Sequence, residues 1–298
     1  MSDVFSRFAP FIQDYIYRCK WEELREIQVL AAKAIFDTDE NLLLSSGTAS
    51  GKTEAAFLPV LTRLWENPSA SVGVLYLSPL KALINDQFER LEGLLEEAAI
   101  PVTKWHGDAS AAAKKRVMKR PQGVIQTTPE SLESMLMHNS SGAYRLFSDL
   151  RFIIIDEMHY FMDNDRGLQL LCLLERLSRL IGYHPRRIGL SATLGDCTSA
   201  VQWLNTDSGR NCIVPKCHEK GRSLRLSVRF FPIKEKIPNS DSKVLLQNYY
   251  DYLFESTWNK RCILFSNSKG EVEENIAHLR RIAAERRLPD NYLVHHAN

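Results

Sequence analysis

The chain has 298 residues, 44% hydrophobic and 25% charged, ordinary proportions for a soluble globular protein with room for one large α/β domain and part of another. A net charge of +2 excludes a strong global field, so any nucleic-acid binding must rest on a local groove. The start, Met1 to Arg7, lacks the long apolar core of a signal peptide, no stretch approaches membrane-spanning length, and the scattered cysteines fit a reducing, cytoplasmic setting.

Residues 4 to 40 read mainly as helices, with Trp21 to Phe36 the clearest. Beyond them, short apolar runs alternate with helical stretches. Strands are expected at Leu42–Ser45, Val72–Leu77, Val102–Trp105, Gly123–Thr127, Phe152–Ile155 and Arg187–Leu190. Helices are expected at Thr53–Trp65, Leu80–Ala98, Ala109–Lys119, Pro129–His138 and Leu168–Ile181. This alternation predicts an α/β fold with right-handed crossovers, a doubly wound parallel sheet, and ligand at the carboxyl ends of the strands.

After Asp207 the texture changes. Ser223 to Phe230 alternates like a half-exposed strand, and Pro232 to Asp241 reads as a polar linker. Helix Ser242–Phe254, strand Arg261–Phe265, helix Gly270–Arg286 and strand Tyr292–Val294 follow. One such passage cannot bury both faces of a sheet, so a second domain cut short is expected rather than an extension of the first sheet. The expected organisation is a helical region at 1–40, a nucleotide-binding domain at 41–222, a connecting strand and linker at 223–243, and a partial second domain at 244–298.

Chemistry concentrates in Ser46-Gly47-Thr48-Ala49-Ser50-Gly51-Lys52-Thr53, which lies between an apolar strand and a helix. A loop of small residues that opens a helix at Gly-Lys-Thr is a phosphate-binding loop: backbone N–H groups and the helix N-terminus face phosphates, Lys52 reaches the β/γ-phosphates, and the Thr53 hydroxyl can ligate Mg2+. Its necessary partner is an acid at the end of another parallel strand. Arg151-Phe152-Ile153-Ile154-Ile155-Asp156-Glu157 supplies two, with Asp156 suited to Mg2+ and Glu157 to orienting or deprotonating water. Cys172 and Cys262, in apolar surroundings, read as buried thiols. Cys212, Cys217 and His218 could form half of a zinc site, but no second pair lies nearby.

An ordered series of segments resembles the superfamily 2 helicases, nucleic-acid-dependent ATPases with two RecA-like domains, and within them the Lhr-like group. Arg25-Glu26-Ile27-Gln28 resembles the Q motif, Ser46 to Thr53 motif I, and Ser78-Pro79-Leu80-Lys81-Ala82-Leu83 motif Ia. His106-Gly107-Asp108 resembles the loop between motifs Ia and Ib, and Thr127-Thr128-Pro129-Glu130-Ser131-Leu132 resembles motif Ib. Asp156-Glu157-Met158-His159 is a DExH-type motif II and Ser191-Ala192-Thr193 is motif III. Asp165-Arg166-Gly167 and the run Arg187-Ile188-Gly189-Leu190 before Ser191 are especially like Lhr proteins. In the last part, Cys262 to Ser268 resembles motif IV and His295-His296-Ala297-Asn298 the family's His-His-Gly-Ser segment. Ser46, Ala49 and Ala297 depart from the usual residues, without removing a catalytic group.

The resemblance implies ATP and Mg2+ as cofactors. Adenine would meet Gln28, with Arg25 beside it and Phe11 as one of several possible stacking partners. The phosphates would meet Gly47, Thr48, Ala49, Ser50, Gly51, Lys52 and Thr53. Catalysis would rest on Lys52, Asp156, Glu157 and His159. Nucleic acid would meet Ser78, Pro79, Lys81, His106, Gly107, Thr127, Thr128 and Pro129, whose small hydroxyls, backbone N–H groups and helix N-termini suit phosphates. Ser191, Ala192 and Thr193 would couple hydrolysis to movement, with His159 as their link; a histidine in a polar turn is the plainer alternative. For Thr128-Pro129-Glu130 the plainer reading is an N-cap with proline in the first turn. Trp105 reads as a buried strand-end residue, with base stacking as the alternative. Lys114-Lys115-Arg116, with Lys119 and Arg120, forms a basic face open to nucleic acid or simply to solvent.

The function implied is the N-terminal motor part of an ATP-dependent DNA helicase or translocase on single-stranded DNA, with no membrane partner. RNA as the track, remodelling of protein–nucleic-acid complexes, and an ATP-gated binding module are the alternatives. No Gln-x-x-Gly-Arg-x-Gly-Arg segment with its arginine finger occurs, so this chain alone is expected to bind Mg·ATP but hydrolyse it very slowly.

Overall fold

The computed structural model describes residues 3–47, 50–80, 93–96, 98–107, 109–192, 194, 196–217, 225–231 and 241–294; side chains are described from 248 in the last stretch. Two compact units divide at Lys220 and Gly221.

The first unit is built on seven parallel strands: β1 (Asn41–Ser45), β2 (Val72–Leu77), β3 (Val102–Trp105), β4 (Gly123–Thr127), β5 (Phe152–Ile155), β6 (Arg186–Ser191) and β7 (Cys212–Ile213). Their order across the sheet is β3-β4-β2-β5-β6-β1-β7. Neighbouring side chains along a strand point to opposite faces, and here both faces are apolar. Leu42, Leu44, Val74, Tyr76, Ile154, Ile188 and Leu190 join one core; Leu43, Leu75, Leu77, Ile153 and Ile155 join the other.

The first core is covered by α1 (Pro10–Arg18), α2 (Glu26–Asp37) and α3 (Lys52–Glu66), with the helical turn at 93–96. The second is covered by α4 (Ala111–Lys119), α5 (Pro129–His138), α6 (Ser140–Phe147), α7 (Asp165–Ile181) and α8 (Thr198–Asn205). The six strands expected in this unit all form. β7, α6 and α8 are additional. The helix expected over Trp21 to Phe36 begins only at Glu26, because the Arg25 backbone N–H donates to Gln28 Oε1 at 2.9 Å and fixes the start there.

Two arginines fasten helices to the sheet. At the start of β6, the buried Arg186 guanidinium donates to the carbonyls of Ala34, Ile35, Thr38 and Glu40, closing the C-terminal end of α2. Burial pushes its pKa down to about 10, which leaves it charged at neutral pH. Arg187, on the opposite face, donates to Leu204 and Thr206 carbonyls at the end of α8. A cation at each site meets unsatisfied last-turn carbonyls.

In the second unit, α9 (Asp241–Thr257) and α10 (Lys269–Glu285) pack through Tyr250, Leu253, Phe254, Leu279, Ile282 and Ala283. The strands expected at Ser223–Phe230, Arg261–Phe265 and Tyr292–Val294 do not form among the described residues. A strand exists only with a hydrogen-bonded neighbour, and these segments have none among the described residues. Ile263, Phe265 and Leu293 are accordingly exposed. Cys262, expected to be buried, is exposed for the same reason. Cys172 is exposed because Leu170, Leu173, Leu174 and Leu177 take the core face of α7 and leave position 172 outside it. Among the described residues no cluster of His, Cys, Asp and Glu could hold a metal ion, and no helix is long and apolar enough to cross a membrane. His218 lies outside the described residues.

Candidate nucleotide and nucleic-acid site

Parallel strands deliver their carboxyl ends to one edge of the sheet. The loop of Ser46 to Gly51 follows β1, Ser78 and Pro79 follow β2, His106 and Gly107 follow β3, Thr128 follows β4, Asp156 follows β5, and Ser191 ends β6. These residues, all singled out from sequence, therefore share that edge by topology alone.

In the phosphate-binding loop, Lys52 opens α3 and its Nζ donates to the carbonyls of Ser46 at 2.6 Å and Gly47 at 3.0 Å. The Ser46 and Ser50 hydroxyls meet at 2.6 Å. Gly51 has φ +83°, a left-handed value that suits glycine. A Cβ there would lie 2.9 Å from Gln28 Nε2 and 3.4 Å from an Arg25 guanidinium nitrogen. The residues expected at the adenine end and those of the loop are thus packed against each other. Thr53 is half-buried in the first turn of α3. Phe11 is half-buried on α1 and packs against the first core, as do Tyr15 and Trp21. Thr48 and Ala49 lie outside the described residues.

Asp156 is buried, and Glu157 beside it adopts φ 46°, ψ 45°, a left-handed conformation that is strained for a residue with a side chain. Asp156 Oδ1 accepts the Glu157 backbone N–H at 2.9 Å, and Oδ2 accepts the hydroxyl of the fully buried Tyr76. Burial pushes the Asp156 carboxyl above its ordinary value, the Glu157 charge adds to that, and the Tyr76 hydroxyl, the Glu157 N–H and the Lys52 charge pull against it. An aspartate so short of compensating charge suits a hard divalent cation, and the Thr53 hydroxyl belongs to the same oxygen chemistry.

His159 Nδ1 has three neighbours at 3.4 Å: Glu157 Oε2, Ser191 Oγ and the Ala192 backbone nitrogen. With Nδ1 as acceptor the ring serves the Ala192 N–H, and with the hydrogen on Nδ1 it serves Glu157, so the tautomer decides between the acid and the segment after β6. Thr193 lies outside the described residues. Sequence reasoning passed over Ser45, whose hydroxyl donates to the Ala192 carbonyl at 3.2 Å and accepts the Leu194 N–H at 3.1 Å. It ties the strand before the phosphate loop to the segment after β6. Tyr76 was missed as well, hidden inside an apolar strand.

On the other side of the edge, Ser78, Pro79, His106, Thr127, Thr128 and Pro129 are buried, while Gly107 is exposed. The Ser78 hydroxyl donates to the Leu80 carbonyl at 3.3 Å, within its own loop, and the Thr127 hydroxyl to the Trp105 carbonyl at 2.6 Å, across to the end of β3. Thr128 occupies the N-cap position of α5 without a side-chain bond to the helix backbone; its hydroxyl meets Ser131 Oγ at 3.3 Å. Lys114 is turned inward to the His106 carbonyl at 2.7 Å and over the half-buried Trp105 ring, whereas Lys115, Arg116, Lys119 and Arg120 are exposed. Lys81 lies outside the described residues. Arg166, noted in the sequence only as context, bridges the Pro79 carbonyl and the Glu130 carboxylate, each at 2.7 Å.

Residues 25–200 match the DEAD/DEAH box helicase family. The chain is 29% identical to the ATP-dependent helicase Lhr-Core of Methanothermobacter thermautotrophicus, covering 99% of this chain and 36% of that protein. It is 31% identical to the Methanocaldococcus jannaschii Lhr-Core helicase, over 91% of this chain and 33% of that protein. Among solved structures, the Mycobacterium smegmatis helicase Lhr bound to ssDNA and AMP-PNP superposes with a TM-score of 0.71 at 28% identity, over 96% of this chain and 37% of the other. The DUF1998 helicase MrfA bound to DNA and AMPPNP superposes with a TM-score of 0.75 over 96% of this chain and 39% of the other, at 23% identity, a likeness of fold. The chain spans about a third of the length of the relatives it matches.

Proposed function

The chain belongs to the DEAD/DEAH box helicase family, as a superfamily 2 motor domain of the Lhr-like group with a RecA-like P-loop fold, and on that footing we propose that it binds Mg·ATP and grips single-stranded DNA. The observation that carries the reading is the convergence of Lys52, Asp156, Glu157 and His159 on the edge of the sheet that also holds the loops after β2, β3 and β4. Residues 41–222 are read as the ATP-binding domain, with 1–40 carrying the Gln28 helix, 223–243 connecting, and 244–298 as part of a second RecA-like domain.

Gln28 and Arg25 would meet the base; Gly47, Ser50, Gly51 and Lys52 the phosphates. Thr53 and Asp156 would hold Mg2+, which when bound neutralises phosphate charge and orients the transferring group. Glu157 would orient and deprotonate water, and its left-handed backbone sets it apart from the strand that precedes it. His159 relays proton or charge changes near Glu157 to Ser191 and Ala192. For the nucleic acid, the burial of Ser78, Thr127 and Thr128 favours backbone N–H groups and the α5 N-terminus over side-chain hydroxyls as phosphate donors.

The test is steady-state ATP hydrolysis by the whole protein without polynucleotide, with single-stranded DNA, and with single-stranded RNA, with Glu157→Gln as the control. Stimulation by DNA that vanishes in the variant supports the reading. Greater stimulation by RNA changes the track, and flat hydrolysis despite tight ATP binding sinks the motor in favour of an ATP-gated binding module.

A further inference from the structure

The loops after β2 and β4 are held to each other by one side chain. Arg166 Nη2 donates to the carbonyl of the buried Pro79, and Arg166 Nε donates to Glu130 Oε1 in the first turn of α5. The peptide between Pro79 and Leu80 is trans, so pinning its carbonyl toward Arg166 turns the Leu80 N–H the opposite way. Glu130 is in turn approached by the Thr128 hydroxyl. Partial burial raises its carboxyl, but Arg166, its own N–H and Thr128 together hold it below the usual carboxylate range.

Arg166 itself is carried on a stiff segment. Asn164 caps α7, accepting the Gly167 N–H at 3.0 Å and donating to the carbonyls of Tyr160 at 2.9 Å and Met162 at 3.0 Å. Gly167 approaches so closely that a Cβ there would lie 1.5 Å from the Phe161 carbonyl oxygen. The guanidinium also sits 5.5 Å from the centroid of the buried Phe161 ring. The chain reaches this capped turn directly from β5 and Asp156.

We propose that Arg166 is a positioning residue for nucleic acid: its fork fixes the spacing and orientation of the loops after β2 and β4 so that both can meet one strand's backbone. This rests on the reading of those loops as a nucleic-acid surface. Arg166 acts through Pro79 and Glu130 and touches no reacting atom. A lysine offers one compact donor set in place of a planar fork and cannot serve both partners with the same geometry.

Glu130 gives the proposal a sign that a plain charge effect cannot imitate. An acidic residue that merely neighbours a polyanion repels it, so Glu130→Gln would tighten binding; a residue that anchors Arg166 has the reverse effect. The experiment measures fluorescein-labelled oligo-dT affinity by anisotropy, and mant-AMP-PNP affinity without oligonucleotide, for the 298-residue chain and its Arg166→Ala, Arg166→Lys, Glu130→Gln and Arg166→Ala/Glu130→Gln variants. Arg166→Ala is expected to weaken oligo-dT binding roughly five- to tenfold and Glu130→Gln roughly threefold, with the double variant no weaker than Arg166→Ala alone. Nucleotide affinity stays within about twofold, which also reports intact folding. Tighter binding in Glu130→Gln, unchanged binding in Arg166→Ala, or additive losses would overturn the proposal. If the unsubstituted chain binds no oligo-dT, the reading of the surface fails with it; if it binds and the variants bind equally well, only the role of Arg166 fails.

Discussion

Tyr76, wholly buried on β2, gives its hydroxyl hydrogen to Asp156, the first residue after β5. Register explains how they meet. Tyr76 lies opposite Ile154 on the neighbouring strand, and Asp156, two residues further along, points to the same face within diagonal reach of a long aromatic side chain. An apolar strand thereby supplies a polar tip that orients the buried carboxylate together with the Glu157 N–H.

Because burial and Glu157 raise the Asp156 pKa in the folded chain, ionising this group disfavours folding. As pH rises from the ordinary aspartate range through the raised folded value, the wild type loses stability; as pH falls back it regains it. Asp156→Asn cannot ionise. In buffer containing a chelator, urea unfolding is expected to show Asp156→Asn more stable than wild type at pH 8, with the difference vanishing near pH 4. Tyr76→Phe removes a compensating donor and should widen the gap, costing about 1–3 kcal/mol at pH 8. Equal pH slopes for wild type and Asp156→Asn would refute the assignment.

Gly167 and Gly182 offer a matched pair. Gly167→Ala places a methyl 1.5 Å from the Phe161 carbonyl oxygen, which only backbone movement can relieve, and about 3 kcal/mol or more of stability should be lost. Gly182 has φ +88° at the end of α7 but open space around it, so its alanine variant should lose only about 1 kcal/mol. Similar denaturation midpoints for the two variants would contradict the packing described.

Arg186 gathers four backbone carbonyls without an acidic partner in that set. Arg186→Met keeps much of the volume and strips every donor, so a loss of about 3–5 kcal/mol is expected in chemical denaturation. Arg186→Lys should recover less than half of it, since one ammonium cannot spread over the same carbonyls. A full rescue by lysine would show that charge alone matters there.

Ser45→Ala deletes the hydroxyl between the Ala192 carbonyl and the Leu194 N–H. Nucleotide binding should persist, since no phosphate-loop donor is removed. ATP turnover by the whole protein should fall roughly tenfold if this tie relays the state of the loop after β1 to the segment after β6. An unchanged kcat would leave Ser45 a purely structural bond.

Ile153-Ile154-Ile155 and Leu42-Leu43-Leu44 could hardly be anything but buried strands, since both faces of a doubly wound sheet demand apolar residues without alternation. β7 escaped because Cys212 and Ile213 alone carry no periodic signal, and α6 and α8, at eight residues each, begin with Ser-Ser-Gly and Thr-Ser. The strands expected at 261–265 and 292–294 show the opposite error: their patterns fit a strand, but a pattern does not supply the neighbour that makes one. Lys52, Asp156 and Glu157 were legible because their spacing to local elements carries the chemistry. Tyr76, Ser45 and Arg166 were not, because each acts on a residue far away in sequence, 80, 147 and 36 positions off.

Gly51 approaches the Gln28 side chain closely. The Gln28 amide at the head of α2 lies directly against Gly51 of the phosphate loop, and Arg186 clamps the far end of that same helix. Any shift of the loop therefore presses on the glutamine, and any ligand that draws the glutamine out gives the loop room. Base and phosphates would be sensed as one object. A nucleotide with the wrong base should then stall turnover even at saturating concentration, a defect in kcat that no amount of extra substrate repairs.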